Sequence, residues 1–387
     1  MRKPMQILRS MKWQSSNRIR RACTAILFSF FLLVLGALAQ QPEIAGNTPN
    51  PTFTTFEVPG AGTGGGQGTV GLGLNAAGTI TGLYTDASNL NHGYVRTVDG
   101  TITTFDVANA GTGPGQGTLP QSINQSGVIA GLYYDSNNVT SGFVRSATGV
   151  ITTFPCQLAT NSPAAGGAAM IINSAGIVSG YCATPAGTFY GFARSAAGTI
   201  KKINVIGEGT AANQGTFGSS INDGLMLSGF YIDSRGIYHG LTGTIGVLIN
   251  FIDVAGAGNE AGQGTYTTSI NAGGTVSGTY IDSSFVYHGF VMTKEGLETP
   301  FDVPAAGTGT GQGTFSSFIN QTGTIVGTYV DPSSLNHGFR RTANGTMASF
   351  DCPYENGTWA FSTNATGMIT GFCYDTNGVL HGYLVTP

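Results

Sequence analysis

Short β-type runs of apolar and polar residues, separated by turn-forming residues, recur from residue 50 to residue 387. Residues 299–347 contain four of these runs: PFDV, TFSSFIN, TIVGTYV and HGFRRT. The segments N-Q-T-G, D-P-S-S and A-N-G follow the last three, and their Gly and Asn residues supply the positive φ that tight hairpins require. No stretch of 50–387 has a 3.6-residue apolar period. The pattern predicts four short antiparallel strands in each unit.

This unit recurs seven times, with a spacing of 49 residues that shortens to 44 within the last copy. A bulky apolar residue marks one position of every copy: Phe56, Phe105, Phe154, Ile203, Ile252, Phe301 and Phe350. An asparagine marks another position: Asn75, Asn124, Asn173, Asn222, Asn271, Asn320 and Asn364. The copies fill residues 50–387 as one repeat domain. Seven units of four strands predict an all-β fold, a seven-bladed β-propeller with four-stranded blades.

The two ends of the repeat region indicate that the propeller closes on itself. The first copy opens with TTFEV at 54–58, which is similar to the outermost strand of the later units. The last copy stops after H-G-Y-L at 381–384 and has no such strand of its own. The N-terminal strand can therefore complete the last blade and leave no unpaired strand edge. The alternatives are two domains or an open solenoid, although a solenoid needs atypical polar caps that the sequence does not show.

The first 39 residues have the order of a secretory signal peptide. Seven of the 16 basic residues lie within the first 21 positions, and an apolar run over 22–39 ends in the motif A-L-A. This order predicts cleavage before Gln40 and leaves residues 40–49 as a short polar leader. An uncleaved membrane anchor is the alternative, because an apolar run of this length nearly spans a bilayer. The basic region is long, so Met11 is an alternative start to Met1. We expect the mature chain to be secreted or located in the cell envelope, without a membrane-spanning segment.

Composition excludes several classes of protein. Charged residues make up 9% of the chain, and its 61 Gly residues show no three-residue period, which argues against collagen. The 41% of hydrophobic residues argue against disorder, because they can form a core. Beyond residue 21 the chain has 9 basic and 19 acidic residues. A chain with this acidic balance and no basic stripe is not expected to bind nucleic acid.

The core of the unit resembles a known repeat family. Residues 319–327, INQTGTIVG, are followed by H-G-F at 337–339, and all seven copies keep this pattern in a degenerate form. The pattern resembles the extracellular repeat family named after its H-A-F signature, although the copies here have Gly where that signature has Ala. The resemblance implies an exported repeat protein and does not imply a particular activity.

Histidine occurs at a single position of the unit, with an aspartate six residues upstream. The pairs are Asp86 and His92, Asp233 and His239, Asp282 and His288, Asp331 and His337, and Asp375 and His381. A His and an Asp at the two ends of a hairpin can form an acid/base pair. A catalytic site needs one special copy, however, and none of the copies is special. We therefore interpret the pairs as structural hydrogen bonds that pin each hairpin, and we predict no catalytic residue.

Metal binding is the second candidate chemistry. D-x-S-S and D-x-N-G segments offer oxygen ligands similar to those of calcium loops. These segments lack the later Glu and the acidic alternation of an EF-hand loop, and their residues are ordinary turn formers. Zinc is disfavoured because no two histidines are close in sequence. We predict no metal site and no cofactor.

A G-Q-G-T motif, reduced to Q-G-T in one copy, opens the predicted innermost strand of five copies. Its glutamines are Gln67, Gln116, Gln214, Gln263 and Gln312. Tyrosines are expected nearby: Tyr84, Tyr133, Tyr231, Tyr280 and Tyr329. The Gly-rich loop is not a phosphate site, since neither a Lys nor a helix follows it. A ring of amides at one mouth of the channel can hold a neutral polar ligand such as a glycan. The alternative is hydrogen bonding from blade to blade.

Four of the five cysteines are predicted to form the disulfides Cys156–Cys182 and Cys352–Cys373. The first member of each pair follows the reference Phe by two residues, and the second replaces the Tyr of G-x-Y-x-D. Both pairs lie in copies without G-Q-G-T, so each bridge can replace contacts of that loop. Export favours oxidation, and the count is even once Cys23 leaves with the signal. Free thiols, or one zinc ion held by all four, are the alternatives.

These patterns predict a non-catalytic binding or interaction module at the cell envelope or outside the cell. We expect a monomer whose partner is a glycan or an envelope protein, and glycan binding is the more specific hypothesis. The alternative is a secreted carbohydrate-active enzyme, a lyase or hydrolase that uses the mouth of the channel. An enzyme should have one deviant copy with clustered acids. The fourth copy deviates mildly at 222–224 and gains no such cluster.

Overall fold

The computed structural model of the protein describes residues 52–156, 166–203, 205–246, 248–354 and 356–387. This part of the chain consists of 28 β-strands joined by turns and loops, and it contains no helix. The prediction of an all-β fold is therefore confirmed. The predicted signal peptide at 1–39 and polar leader at 40–49 lie outside the described residues. Within the ranges given above, no helix has the length and apolarity that crossing a membrane requires.

Antiparallel pairing groups the strands into seven sheets of four, which we number in chain order. Sheet 1 contains β2 (Gly68–Leu74), β3 (Ile80–Thr85), β4 (Asn91–Arg96) and β5 (Ile102–Phe105). Sheet 2 contains β6 (Gly117–Ile123), β7 (Ile129–Tyr134), β8 (Thr140–Arg145) and β9 (Ile151–Phe154). Sheet 3 contains β10 (Gly167–Ile172), β11 (Val178–Ala183), β12 (Phe189–Arg194) and β13 (Ile200–Lys202).

The remaining sheets follow the same order of strands. Sheet 4 contains β14 (Gly215–Ile221), β15 (Met226–Ile232), β16 (Tyr238–Thr244) and β17 (Leu248–Ile252). Sheet 5 contains β18 (Gly264–Ile270), β19 (Val276–Ile281), β20 (Tyr287–Met292) and β21 (Glu298–Phe301). Sheet 6 contains β22 (Gly313–Ile319), β23 (Ile325–Val330), β24 (Asn336–Arg341) and β25 (Met347–Phe350). Sheet 7 contains β26 (Thr358–Thr363), β27 (Ile369–Tyr374), β28 (Leu380–Thr386) and β1 (Thr52–Phe56).

Sheet 7 combines strands from both ends of the repeat region. The N-terminal strand β1 pairs antiparallel with β28, so that Thr52 lies opposite Thr386 and Phe56 lies opposite Gly382. The other six sheets take their fourth strand from the chain directly after the third. In sheet 7, β1 therefore occupies the position that the strand directly after the third strand takes in the other sheets.

The first strands of the sheets form a continuous series of neighbours. β2 contacts β6, each following first strand contacts the next, and β26 contacts β2. A single parallel bridge joins the third strand of most sheets to the first strand of the next, as between Asn91 and Gly117. The same bridge joins Leu380 of sheet 7 to Gly68 of sheet 1. Gly68 has a φ of +119°, and a Cβ there would lie 2.1 Å from the carbonyl oxygen of Leu380, so only glycine fits.

A chain of asparagine side chains connects the turns that follow the first strands. Nδ2 of Asn75 donates to the carbonyl oxygen of Asn124 in the next sheet, and the same bond recurs from each sheet to its neighbour. Nδ2 of Asn364 in sheet 7 donates to the carbonyl oxygen of Asn75 in sheet 1. The series of bonds thus returns to its first member. The repeated asparagine of the sequence has a structural role, because it links neighbouring sheets.

The hydrophobic core is divided into clusters that lie between neighbouring sheets. Between sheets 5 and 6, Phe301 and Val303 from the end of β21 pack with Tyr329 and Phe339. The guanidinium carbon of Arg341 lies over the ring of Phe301 at 4.9 Å, a cation–π contact between the two sheets. Each other boundary has a corresponding cluster. Burial of these large side chains accounts for most of the attraction between sheets.

Candidate functional site

The five histidines lie at the same end of their sheets. Each stands near the start of the third strand, beside the turn from the second strand. Because neighbouring strands are antiparallel, the end of the fourth strand and the loop to the next sheet lie at this end as well. We call it the His face. The asparagine chain lies at the opposite end, which we call the Asn face.

The predicted aspartate lies next to each histidine. Nε2 of His92 is 3.5 Å from Oδ2 of Asp86, and the other four pairs are separated by 3.6 or 3.7 Å. The second oxygen, Oδ1 of Asp86, accepts hydrogen bonds of 2.8 Å from the backbone N–H groups of Ser88 and Leu90. The aspartate therefore pins its hairpin mainly through the backbone. Its contact with the histidine is an ion-pair contact that is too long for a hydrogen bond.

The other ring nitrogen of each histidine faces a second carboxylate, which our sequence interpretation missed. Nδ1 of His92 lies 3.0 Å from both carboxylate oxygens of Asp106, just after β5. Three other histidines have the same partner 14 residues downstream, at 2.8 to 3.1 Å: Asp253 for His239, Asp302 for His288, and Asp351 for His337. In sheet 7 the partner of His381 is Glu57, which follows the N-terminal strand.

The repeats themselves contain a signal for this second carboxylate. Sheets 2 and 3 have Ser141 and Tyr190 in place of the histidine, and the residues 14 positions later are Pro155 and Asn204. These two copies therefore lack both the histidine and the acid. For His381 the position 14 residues later lies past residue 387. Its acid is identified only when the N-terminal strand is placed beside β28.

Aromatic rings cover the histidines. Tyr84 stacks on His92 with ring centroids 4.7 Å apart, and Tyr231, Tyr280 and Tyr329 stack on their histidines at 4.7 to 4.8 Å. Sheet 7 has Cys373 at this position, and Tyr354 from the preceding loop stacks on His381 at 4.0 Å instead. Burial, together with the two neighbouring carboxylates, raises the pKa of the Tyr84 phenol. The tyrosine rings therefore cover one face of each of the five histidines.

At His337 the two carboxylates favour the protonated form of the ring, because both ring nitrogens carry a hydrogen only in the cation. His337 is the most enclosed of the five, with 5% of its side chain exposed. Burial opposes protonation of His337, but the hydrogen bond and charge of Asp351 and the charge of Asp331 outweigh it and raise the pKa. Nδ1 of His337 is hydrogen-bonded to Asp351, and Nε2 is buried without a hydrogen-bond partner among the described residues, so neither nitrogen is open to a substrate. The arrangement favours a structural role over general base catalysis.

The glutamine amides have partners within their own sheet. Oε1 of Gln312 accepts a hydrogen bond of 2.9 Å from the N–H of Gly309, and Nε2 donates to the carbonyl oxygen of Pro332 at 3.2 Å. The corresponding bonds recur at the other glutamines. The backbone of the motif, by contrast, reaches the neighbouring sheet. The carbonyl oxygen of Gln116 accepts a hydrogen bond from the N–H of Asn91 in sheet 1. The alternative that the glutamine side chains form hydrogen bonds from blade to blade is therefore wrong.

Both predicted disulfides are present. Cys156 is bonded to Cys182 with a Cα–Cα distance of 5.4 Å, and Cys352 is bonded to Cys373 with a distance of 6.2 Å. Each bond joins the residue after the fourth strand of one sheet to the second strand of the next. The disulfides therefore link sheet 2 to sheet 3 and sheet 6 to sheet 7. Disulfides of this kind are typical of oxidising compartments outside the cytoplasm.

The His face is acidic. Its described carboxylates are Glu57, Asp86, Asp106, Asp135, Glu208, Asp233, Asp253, Glu260, Asp282, Asp302, Asp331, Asp351 and Asp375. Among the described residues, Lys202 and Arg235 are the lysine and arginine on this face. The described residues contain no group of three or more His, Cys, Asp or Glu side chains arranged to hold a metal ion. A face with this charge repels anionic ligands and suits neutral or cationic ones.

A shallow cleft of about 360 Å³ lies at the boundary of sheets 1 and 2. Asp106 and Asn109 line it from the loop after β5, and Ile151 and Thr153 line it from β9. It combines a carboxylate, an amide and a hydroxyl group with an aliphatic side chain.

Comparison with known proteins shows similarity of fold. No protein-family model and no curated protein matches the chain. Among solved structures, the chain is similar to the BP39L lectin from Burkholderia pseudomallei, with a TM-score of 0.53 and 11% identity over 80% of this chain and 93% of the lectin. It is also similar to a puromycin hydrolase S511A mutant complexed with PGG, with a TM-score of 0.52 and 11% identity.

The second similarity covers 85% of this chain but 50% of the hydrolase. A fungal lectin from Aleuria aurantia, described as a six-bladed β-propeller with a novel fucose recognition mode, has a TM-score of 0.43 and 11% identity over 73% of this chain and 93% of the lectin. At these identities the likeness to BP39L and the hydrolase concerns the fold alone. Together with the pairing of the sheets, it suggests a β-propeller.

Proposed function

We propose that the chain forms a closed seven-bladed β-propeller in which each sheet is one blade. Three observations support this proposal. β1 pairs with β28, the first strands contact one another from β2 round to β26, and the asparagine bonds return from Asn364 to Asn75. Across the same boundary Arg96 of sheet 1 lies over the ring of Phe56 at 4.8 Å, as its counterparts do elsewhere. A ring without free strand edges is expected to be monomeric.

Deletion of residues 50–60 tests the ring, and deletion of the leader 40–49 from the mature protein is the matched control. The first deletion removes β1 and Glu57, which exposes the edge of β28 and leaves Nδ1 of His381 without its carboxylate partner. We expect a large fall in the thermal midpoint or association of the protein, measured by calorimetry and light scattering. A closed ring is ruled out if the two deletions give the same melting curve as the parent.

We further propose that the protein acts outside the cytoplasm, secreted or at the cell envelope, as a member of the H-A-F repeat family. The two disulfides support an oxidising compartment. Fractionation of cells that express the full chain, followed by N-terminal sequencing, checks this assignment. A mature protein that begins at Gln40 supports it, and a cytoplasmic protein that keeps residues 1–39 contradicts it.

We propose that the protein is a non-catalytic binding module and that its ligands are neutral glycans. The observation that carries this proposal is the repetition of the same carboxylate–histidine–carboxylate arrangement in five of the seven sheets. Catalysis needs one specialised site, whereas a repeated surface suits multivalent attachment. The acidic His face disfavours anionic ligands. The similar fold of the BP39L lectin makes carbohydrates the class of ligand to test first.

A glycan array with the purified mature protein tests the proposal, followed by incubation of every bound glycan with the protein. We expect binding of neutral glycans that are recovered unchanged, as judged by mass spectrometry. Release of shortened or unsaturated sugars would favour the alternative of a lyase or hydrolase. If no neutral glycan binds above the background of a heat-denatured sample, glycan recognition is excluded.

A further inference from the structure

The first strand of every sheet contains a β-bulge at the same position. In β2 the pairing with β3 shifts between Gly71 and Gly73, so that Leu72 has no partner across the ladder. The equivalent shift occurs in each of the other six first strands. The seven unpaired residues form what we call the bulge ring: Leu72, Gln121, Met170, Ser219, Thr268, Ser317 and Phe361.

The bulge changes the direction of one side chain in a strand whose two faces are already occupied. Regular residues of the first strands point towards the neighbouring sheets and are buried. In β2, β6, β14, β18 and β26 the bulge residue is the one residue of the strand that is partly exposed. A bulge re-aims a side chain away from the regular faces of its sheet. Since the first strands contact one another in a series, we infer that the bulge ring points towards their common axis.

The bulge ring has two chemically different sides. Sheets 7, 1 and 3 contribute the apolar side chains of Phe361, Leu72 and Met170. Sheets 4, 5 and 6 contribute three hydroxyl groups, from Ser219, Thr268 and Ser317. Sheet 2 places the amide of Gln121 among the apolar members, and no member of the ring carries a charge. Of the polar members, Thr268 has a hydrogen bond within the described part of the chain, to the Ser277 carbonyl oxygen.

We propose that the bulge ring is a binding site for one neutral sugar residue at the end of a glycan, a proposal that rests on the glycan-binding function above. A pyranose presents C–H groups on one face and hydroxyl groups along its edges. The aromatic and aliphatic side of the bulge ring can pack against the C–H face of the sugar, and its hydroxyl and amide groups can bind the sugar hydroxyl groups. Other small-molecule sites combine polar and apolar groups in the same way. The absence of charge on the seven members selects against charged sugars.

The approach to this site is from the His face. The bulge residues lie closer to the end of the first strand, where the asparagine bonds join all seven turns. Those side chains already use their amide groups between the sheets. The other end of the first strands begins at glycines, such as Gly68 and Gly313, which place no side chain in the way. A terminal sugar therefore enters through the mouth that the acidic loops surround.

Titration of the mature protein with methyl glycosides of glucose, galactose, mannose, fucose and N-acetylglucosamine tests the site. The glycosides are supplemented by neutral oligosaccharides that end in these sugars, and binding is measured by calorimetry and saturation-transfer NMR. The double variant Ser219→Ala and Ser317→Ala removes two hydroxyl groups of the ring, and we expect about tenfold weaker binding. The variant Leu72→Arg fills the apolar side and should abolish binding. Thermal midpoints are measured for each variant, so that loss of fold is recognised.

Two matched controls locate the effect. Thr103→Ala with Thr152→Ala removes two exposed hydroxyl groups from the fourth strands, and affinity should not change. Asn109→Ala with Thr153→Ala alters the cleft between sheets 1 and 2. If the parent binds a glycoside and folded ring variants bind it equally well, the bulge ring is not the site, while the glycan-binding function stands. If only the cleft variant loses binding, the site is the cleft and not the bulge ring. If the parent binds none of these sugars, both proposals are overturned.

Discussion

The boundary between sheets 5 and 6 and the boundary between sheets 6 and 7 place different side chains at the same two positions. At the first boundary Val303, after β21, packs with Tyr329 of β23 in one hydrophobic cluster. At the second, Cys352 after β25 is bonded to Cys373 of β27. All four residues are at most 3% exposed. The two boundaries thus use equivalent positions of the repeat, but packing holds one and a covalent bond holds the other.

The loops at these boundaries differ as well. Gln312 anchors the loop between β21 and β22 through hydrogen bonds to Gly309 and Pro332. The connection from β25 to β26 is shorter and lacks this glutamine. The other disulfide also lies at a boundary whose copy lacks the glutamine. The comparison shows that one covalent restraint occupies the place of a large aromatic contact and an amide-anchored loop.

The largest expected effect is at the packed boundary. Tyr329→Ala removes a fully buried ring that contacts Val303 and stacks on His337, and we expect a loss of about 4 kcal/mol in the free energy of unfolding. Urea denaturation of the parent and the variant measures this loss. Tyr329→Phe keeps the ring and is the control, which should retain most of the stability. Equal losses in both variants would show that the hydroxyl group, and not the packing, matters.

The covalent boundary should respond almost as strongly. Cys352→Ser with Cys373→Ser removes a cross-link over 21 residues and should cost about 3 kcal/mol, because the unfolded chain gains freedom. The test is the difference in urea midpoint between oxidised parent and double variant. Reduction with dithiothreitol should lower the midpoint of the parent and leave a variant that lacks all four cysteines unchanged. A double variant as stable as the parent would contradict the importance of the bond.

The converse substitution sharpens the comparison. Val303→Cys with Tyr329→Cys places two thiols at the positions that Cys352 and Cys373 occupy one sheet later. We expect a third disulfide to form, since Val303 and Tyr329 pack in one cluster at the equivalent positions of the repeat. Peptide mapping without reduction identifies the new bond. Two free thiols in the folded protein would show that the boundaries differ in backbone geometry.

Loss of one anchoring amide should have a smaller effect. Gln263→Ala removes two hydrogen bonds of a side chain that is 2% exposed, and we expect the free energy of unfolding to fall by about 2 kcal/mol. Gln312→Ala removes the equivalent two bonds and a third, from Nε2 to Oγ of Ser334, but at a more exposed position, and should lower the free energy of unfolding by about 1 kcal/mol. The order of the two thermal midpoints is the measurement. If Gln312→Ala lowered the thermal midpoint more than Gln263→Ala, burial would not determine the contribution of the amide.

The smallest expected effect is a dependence of stability on pH. The pKa of His337 is raised in the folded state, where Asp351, Asp331 and the ring of Tyr329 surround it. Its contribution is complete below the unfolded pKa of about 6.5 and is lost as the pH rises through the folded pKa. His337→Gln should reduce this part of the pH dependence in urea melts between pH 5 and 9. An identical profile for the variant would assign the dependence to other groups.

Much of the fold follows from the repeat. The four runs, the turns between them and the 49-residue spacing predict the strands with small errors, as at β1, which occupies Thr52–Phe56 where 54–58 was expected. The positions of Cys156 and Cys182 within the unit predict their bond. The second acid of each histidine was missed because Asp106 and His92 belong to different runs of the sequence pattern. The bulge at Leu72 has no signal in the residue types, which change from copy to copy.

The sequence by itself determined the features that depend on neighbours along the chain: strand length, turn type and the number of copies. Tertiary structure decided which strands meet, and hence that Glu57 lies beside His381 although 324 residues separate them. It also decided that each disulfide joins two sheets and that seven bulges align. The physical reason is that local backbone preferences act within one unit, whereas contacts between units depend on where packing places them in space.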